Sequence, residues 1–444
     1  MESEARIDAP CGVVLSQVHG GVLRARGIAY ASARRFAPPE PLPRWTEPLP
    51  ALEESPACPQ PDSPLLEKMF GVGWVATQQD EDCQRLTVTA PNDIHDGQLP
   101  VMVWIHGGSY TSGSGDARLM DPAPLVEEQQ VIVVTVTYRL GILGYLGDGA
   151  TRPANLGLLD QIAALHWVQE NIGAFGGDPD NVTIFGQSAG ADAVAHLMTL
   201  PEAPRLFRRA IIQSAPSRSP QREKIAEAMV AATTGLCADA PLSEVFAAQR
   251  EAEQAASAFG LAASMPFGVQ YGHEPLPSWA ECEHAWARNA PAIDLLIGYT
   301  ADEARFFLPA LPGLDRAARL PLIGRALRWT ASWSLTQVIY TRSARRFARA
   351  HAAAGGRGWS YRIDWPGNAG PYGAAHTIDL PLLFGRAEDW HGTGLLQGLS
   401  ATQIRDAATQ LRQLWADFAR DGRFPDRRLA HLITIRKLHS RATK

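Results

Sequence analysis

The sequence predicts an α/β protein: a mainly parallel, doubly wound central sheet with helices on both faces. Three observations carry this. Several short runs are almost continuously apolar, which suits strands covered on both faces. They alternate with segments whose apolar residues recur every three to four positions, as in helices packed along one stripe. One strand runs directly into Gly186-Gln187-Ser188-Ala189-Gly190 and then into an Ala-rich helical stretch. A turn that tight between strand and helix needs glycine on both sides of the serine.

Along the chain, residues 11–36 read as β-rich around a His19-Gly20-Gly21 turn. The crossing over 38–61 holds too many prolines for helix or central strand, and reads as irregular surface chain in which Trp45 and Leu49 still need burial. Strands are expected at Arg85–Pro91, Leu99–Ile105 and 131–138. A helix over 155–169 places Leu158, Leu159, Ile162, Leu165 and Val168 on one face, with Asn155 as its N-cap. Residues 176–179 read as a loop into the strand 182–185, followed by the helix 191–200 and a strand at 210–214. Helical, Ala-rich patterning occupies 221–259, strand character returns at 292–298, helix at 320–353 and strand at 359–363. The last strong helix, 401–420, carries Ile404, Ala408, Leu411, Trp415 and Phe418 on one face and stops at Gly422. The chain reads as one domain over 1–444, with helical insertions over roughly 217–290 and 310–355.

Composition narrows the function classes. Hydrophobic residues at 45% and charged residues at 20% describe an ordinary globular protein, and a net charge of −5 gives no electrostatic reason to expect nucleic acid or an anionic membrane. No apolar run is long enough for a membrane span. The segment from Met1 to Arg6 has neither the basic nor the apolar region of a secretory signal, so a cytoplasmic location is expected. Five cysteines (Cys11, Cys58, Cys83, Cys237, Cys282) show no metal-binding spacing, and their odd number fits free thiols. No metal or organic cofactor is expected.

Strand, Gly-x-Ser-x-Gly and helix together form a nucleophile elbow, which lifts the Ser188 hydroxyl to the end of the sheet. Acyl transfer by such a serine also needs a base, an acid to orient it and donors for an oxyanion. A second glycine-rich turn, His106-Gly107-Gly108-Ser109, ends the strand Leu99–Ile105. Glycine there lets backbone amides face a substrate oxygen, with the amide of Ala189, just after the serine, as a further donor.

These motifs, with the segments 27–31, 80–83, 138–144, 155–161 and 175–179, resemble the ordered blocks of type-B carboxylesterases, the cholinesterase-like branch of the α/β-hydrolases. The resemblance implies an α/β-hydrolase fold, from which this chain departs in a reduced helical insertion near the active-site mouth. It implies a serine carboxylic-ester hydrolase acting on small to medium esters through an acyl-enzyme. By its motifs Ser188 is the nucleophile. Glu303, in Gly298-Tyr299-Thr300-Ala301-Asp302-Glu303, is the acid, although residue reasoning alone does not separate it from Asp302. His376, ahead of Leu380-Pro381-Leu382-Leu383-Phe384-Gly385, is the base, with His391 the other late loop histidine. Gly107, Gly108, Ser109 and Ala189 form the oxyanion hole. His166 and His196 read as structural or solvated. The resemblance also implies a buried ion pair between Arg139 and Asp178.

Departures from the family pattern are Ser109 in place of Gly or Ala, Gln187 where many members carry Glu, and a short loop after Tyr145. The segment 423–444 lacks the usual Trp-Pro closure and ends in basic residues. Cys58 and Cys83 stand where secreted relatives form a disulfide; thiols are expected here. Trp74, Phe306 and Phe307 read equally as pocket walls or core. Two other readings stay open: an amide, carbamate or lactone hydrolase with the same triad, and a non-catalytic scaffold on the same fold.

Overall fold

The computed structural model describes residues 3–71, 73–75, 78–93, 98–217, 221–310, 324–367, 369–424, 428–429 and 431–439. Among them runs a thirteen-stranded sheet. Its strands are β1 (Ser3–Ala9), β2 (Gly12–His19), β3 (Val22–Ala29), β4 (Arg85–Pro91), β5 (Leu99–Ile105), β6 (Ile132–Val136), β7 (Gly177–Gln187), β8 (Arg209–Gln213), β9 (Asp294–Thr300), β10 (Gly358–Ile363), β11 (Arg428–Leu429) and β12 (Ile433–Lys437), with Leu49–Pro50 added beside β2. The order across the sheet is β1-β2-β3-β4-β6-β5-β7-β8-β9-β10-β12-β11. The six strands from β6 to β10 are all parallel to their neighbours. Antiparallel strands flank them on both sides.

The apolar strands are the central ones, for the reason the sequence suggests. On β5, Val101, Val103 and Ile105 join one core while Met102 and Trp104 join the core on the opposite face. A strand with two buried faces has no position for a polar side chain to reach water.

The longer helices are α1 (Leu156–Asn171), α2 (Ala189–Leu197), α3 (Gln221–Ala232), α4 (Leu242–Ser257), α5 (Trp279–Asn289), α6 (Gly324–Thr336), α7 (Arg342–Ala353) and α8 (Ala401–Asp421). In α8 the expected stripe from Ile404 to Phe418 is buried. Ser400 and Gln403 close a capping box at its start, and Gly422 ends it with φ 62°. Helices α3 to α5 lie between β8 and β9 in the chain, and α6 and α7 between β9 and β10. The start of the helical pattern at 320–323 and the basic end at 440–444 lie outside the described residues. No helix among the described residues is long and apolar enough to cross a membrane.

Part of the segment after 423 joins the sheet as β12, antiparallel to β10. Three expectations are corrected. Residues 177–181 belong to β7, paired with Leu99 across a register shift, so the strand into the elbow begins earlier than its apolar part. Asn155 stands at the N-cap position but its side chain does not cap: the residue takes φ 60°, and the side chain instead ties α1 to the insertion through Gln270, His273 and Glu274. Arg139 pairs with Asp160, not Asp178. Its Nε and Nη2 reach the two carboxylate oxygens at 2.8 and 2.7 Å, both side chains being buried, while Asp178 accepts from the nearby Asp180 amide. Cys58 and Cys83 are buried free thiols; contact with Cys58 and burial together push the Cys83 thiol well up.

Breaking a buried pair strands the surviving charge, so Asp160→Ala is expected to cost about 3–5 kcal/mol in urea unfolding. Asp178→Ala is expected to shift stability by no more than about 0.5 kcal/mol.

Candidate active site

Ser188 stands between β7 and α2 with φ 58° and ψ −122°, a conformation held by its surroundings. Its amide donates to the Gln213 carbonyl on β8 at 2.9 Å. The flanking glycines are required sterically. A Cβ at Gly190 would fall 2.1 Å from the Ile105 carbonyl oxygen, and one at Gly186 would fall 2.6 Å from the Gly190 carbonyl carbon. Strand β5, the turn and α2 therefore meet at backbone distance, which no side chain allows.

Glu303 follows β9 and His376 lies in the loop after β10, 73 residues on. Nδ1 of His376 is 2.5 Å from Glu303 Oε2, and both residues are buried. The other carboxylate oxygen accepts from the Thr300 amide at 2.8 Å. With both oxygens engaged, the carboxylate sets the imidazole plane and draws the proton to Nδ1, leaving Nε2 as the acceptor. Asp302 turns elsewhere, to Arg305 at 3.0 Å and the Ala374 amide at 3.3 Å. His391 is exposed. Glu303, and not Asp302, is thus the carboxylate that meets His376.

Gln187, next to Ser188, brings its side-chain nitrogen 3.2 Å from His376 Nε2. Aromatic rings surround the imidazole: Tyr340 at 5.0 Å, Phe307 at 5.3 Å and Phe306 at 5.9 Å between centroids. Phe70 touches Phe306 and stacks on Trp74. Phe306 and Trp74 are buried as core residues are, while Phe307 is only partly buried. Tyr340 belongs to a π-helical turn, Gln337–Thr341, and nothing in its local sequence marks it.

The loop after β5 packs directly against the elbow. A Cβ on Gly107 would fall 2.6 Å from the Gln187 carbonyl oxygen and 3.3 Å from Ser188 Cβ. Gly108 follows at φ 113°, then Ser109 and Tyr110 at 58° and 62°. The Gly108 carbonyl accepts from the Thr111 and Ser112 amides, both at 3.0 Å. His106 lies beneath, stacked on Tyr138, with Nδ1 2.9 Å from the Gly107 carbonyl; burial pulls its pKa down to about 4, so it is neutral at pH 7. His196 is fully buried between the Asp192 carbonyl and the Tyr271 hydroxyl, and His166 is half-exposed near Glu202.

Behind the site lies a second carboxyl, Asp379, three residues after His376 and fully buried. Gln213, whose backbone holds Ser188, donates from its side chain to Asp379 Oδ2 at 2.5 Å and accepts from Trp415 at 3.1 Å. Burial raises the Asp379 pKa to about 6; the Gln213 hydrogen bond lowers it, the Glu303 charge raises it further, and His376 lowers it. Sequence reasoning missed this residue. Its spacing from His376 was visible, its burial was not. Among the described residues no group of three or more His, Cys, Asp or Glu side chains is placed to hold a metal ion.

Comparison with known proteins finds related chains over most of this one. A family model described as the carboxylesterase family matches residues 12–318. The chain is 38% identical over 444 aligned residues to the probable N-octanoylanthranilate hydrolase of Rhodococcus erythropolis, covering 96% of this chain and 97% of that one. It is 36% identical to the para-nitrobenzyl esterase of Bacillus subtilis, over 93% of this chain and 88% of the relative. The solved structure of a thermophilic PNB esterase superposes with a TM-score of 0.79 at 31% identity, covering 98% of each chain.

Asp379 generates a pH prediction. Its carboxyl titrates near 3.8 when unfolded and near 6 when folded, so the folded state holds the proton more tightly. The stability it contributes is fully present below about pH 4 and is lost as pH rises through about 6. Asp379→Asn removes that loss. From pH 3 to 7.5 the variant is expected to gain about 3 kcal/mol relative to the wild type in paired urea titrations. A gap that does not change with pH would contradict this.

Proposed function

The chain belongs to the carboxylesterase family of ester-hydrolysing α/β-hydrolase enzymes, and on that premise we propose that Ser188, Glu303 and His376 are its catalytic triad. The observation that carries the reading is the buried His376–Glu303 contact at 2.5 Å beside the elbow serine. His376 Nε2 takes the Ser188 proton as the hydroxyl oxygen attacks the ester carbonyl. The Gln187 amide nitrogen lies against the imidazole, 3.2 Å from Nε2 and 3.5 Å from Nδ1, and so borders the place the serine hydroxyl must reach. Glu303 holds the ring and stabilises the imidazolium.

The tetrahedral oxyanion is received by the amides of Gly108, Ser109 and Ala189, each worth about 3 kcal/mol, with Gly107 allowing the loop its close approach to Ser188. His376 then protonates the leaving alcohol. Water repeats the sequence on the acyl-enzyme and releases the acid. Small to medium esters are the proposed substrates, with the partly buried Phe307 beside His376 as the side chain that meets them.

A second reading has one observation in its favour. The Rhodococcus relative is named for hydrolysis of an N-acyl compound, and the same triad serves an amide if His376 can protonate a nitrogen leaving group.

The test is a panel of p-nitrophenyl esters from acetate to decanoate, alongside N-octanoylanthranilate. The wild type is expected to release nitrophenol. Ser188→Ala, folded by circular dichroism, is expected to lose at least about 10⁴-fold in kcat, and Glu303→Gln about 10³–10⁴-fold. Turnover surviving in Ser188→Ala would refute the assignment. Faster turnover of the anilide than of any ester would favour the amide reading.

A further inference from the structure

The oxyanion hole proposed above is assembled from two separate segments, and one buried hydrogen bond joins them. Gly108 and Ser109 lie on the loop after β5, and Ala189 opens α2. The Tyr110 hydroxyl donates to Asp192 Oδ2 at 2.9 Å across 82 residues of chain. Tyr110 directly follows Ser109. Asp192 sits in the first turn of α2, its amide donating to the Ser188 carbonyl at 2.9 Å. The bond therefore spans from the residue next to one set of donors to the turn that carries the other.

Both ends are built to hold. Tyr110 is 1% exposed, its ring 4.4 Å from that of Tyr145, and its carbonyl accepts from the Gly141 amide at 2.7 Å. Asp192 is 2% exposed. A carboxylate there is favoured by the helix N-terminus and strengthens any bond it accepts, but a lost donor would leave it costly. On its far side His196 lies within 3.7 Å of the same oxygen, and reaches the Tyr271 hydroxyl at 3.0 Å through Nε2. Trp286 adds a bond to the Ala195 carbonyl at 2.5 Å. The α2 end is thus anchored to the insertion.

The loop end needs such an anchor. Ser109 and Tyr110 are consecutive non-glycine residues in the left-handed region, a conformation that persists only where the surroundings hold it. Neither Tyr110 nor Asp192 contributes an atom to the oxyanion hole. We infer that they are positioning residues: their bond clamps the loop 107–110 against the first turn of α2, so that the Gly108, Ser109 and Ala189 amides converge on one point. The inference rests on the triad reading given above.

The experiment uses the full chain. Tyr110→Phe keeps the ring and removes only the donor. Its kcat on p-nitrophenyl butyrate is expected to fall about 10- to 100-fold, with KM within about twofold of the wild type. A trifluoromethyl ketone, which forms the oxyanion reversibly, should bind more weakly by the same factor. Asp192→Ala should behave alike, Asp192→Asn, which keeps an acceptor, should recover most of the loss, and the Tyr110→Phe/Asp192→Ala double variant should be no worse than either single.

A Tyr110→Phe enzyme within threefold of wild-type kcat overturns the inference, as does a fall in kcat with unchanged ketone affinity. Should the single variants fail to fold, Tyr110→Phe/Asp192→Leu replaces both partners with apolar groups and leaves no unpaired charge; wild-type kcat in that variant also overturns it. Failure of the triad reading is separately visible, since it shows as activity surviving Ser188→Ala.

Discussion

Backbone meets backbone where the turn 186–190 crosses the end of β5, and most of the site follows from that approach. The Ile105 carbonyl oxygen lies where a side chain of Gly190 would begin. With no side chains between them, the loop after β5 and the first turn of α2 share one small volume, and Ser188 projects into it. Neighbouring strand β8 supplies the remaining support through Gln213, whose carbonyl holds the Ser188 amide and whose side chain holds Asp379. Crossing points at the carboxyl ends of parallel strands are where open α/β sheets place their ligands, and here the six central strands are parallel.

The charges around this point are arranged by burial. Two carboxyls lie behind His376, and they are treated differently. Glu303 has both oxygens engaged, one by the imidazole and one by the Thr300 amide. Asp379 has a single strong donor on one oxygen, and its other oxygen has no partner among the described residues. Burial without full solvation raises the second carboxyl to about 6. A third buried carboxylate, Asp192, faces the loop side and is bonded by Tyr110. Each lies in a different segment, and each is tied to a group that holds a piece of the proposed machinery.

Much of this was legible in the residues. The elbow, the glycine loop, the apolar strands and the α8 stripe all follow from local rules of sterics and periodicity, which act over a few residues. Glu303 over Asp302, and His376 over His391, were named by likeness to a family pattern, and the coordinates bring that pair together. Less accessible were Asp379, Tyr340 and the Tyr110–Asp192 bond. A tyrosine in a glycine-rich loop and an aspartate in an Ala-rich helix look like an aromatic anchor and a helix-start acid, and nothing local says that they touch.

The same distinction explains the errors. Arg139 was expected to pair with Asp178, the acid in the conspicuous Gly-Gly-Asp-Pro turn, yet Asp160 on α1 presents both oxygens to it in a buried setting. Asn155 looks like a helix cap by type and position, but its backbone is left-handed and its amide is used to hold the insertion. By itself the sequence determined the fold class, the succession of strands and helices along the chain and the glycine-flanked turns that carry the family resemblance, because periodicity, glycine sterics and side-chain chemistry are properties of short segments. Only the tertiary structure decided which carboxylate meets which base and which buried polar groups are joined, because those choices depend on burial and distance between segments tens of residues apart.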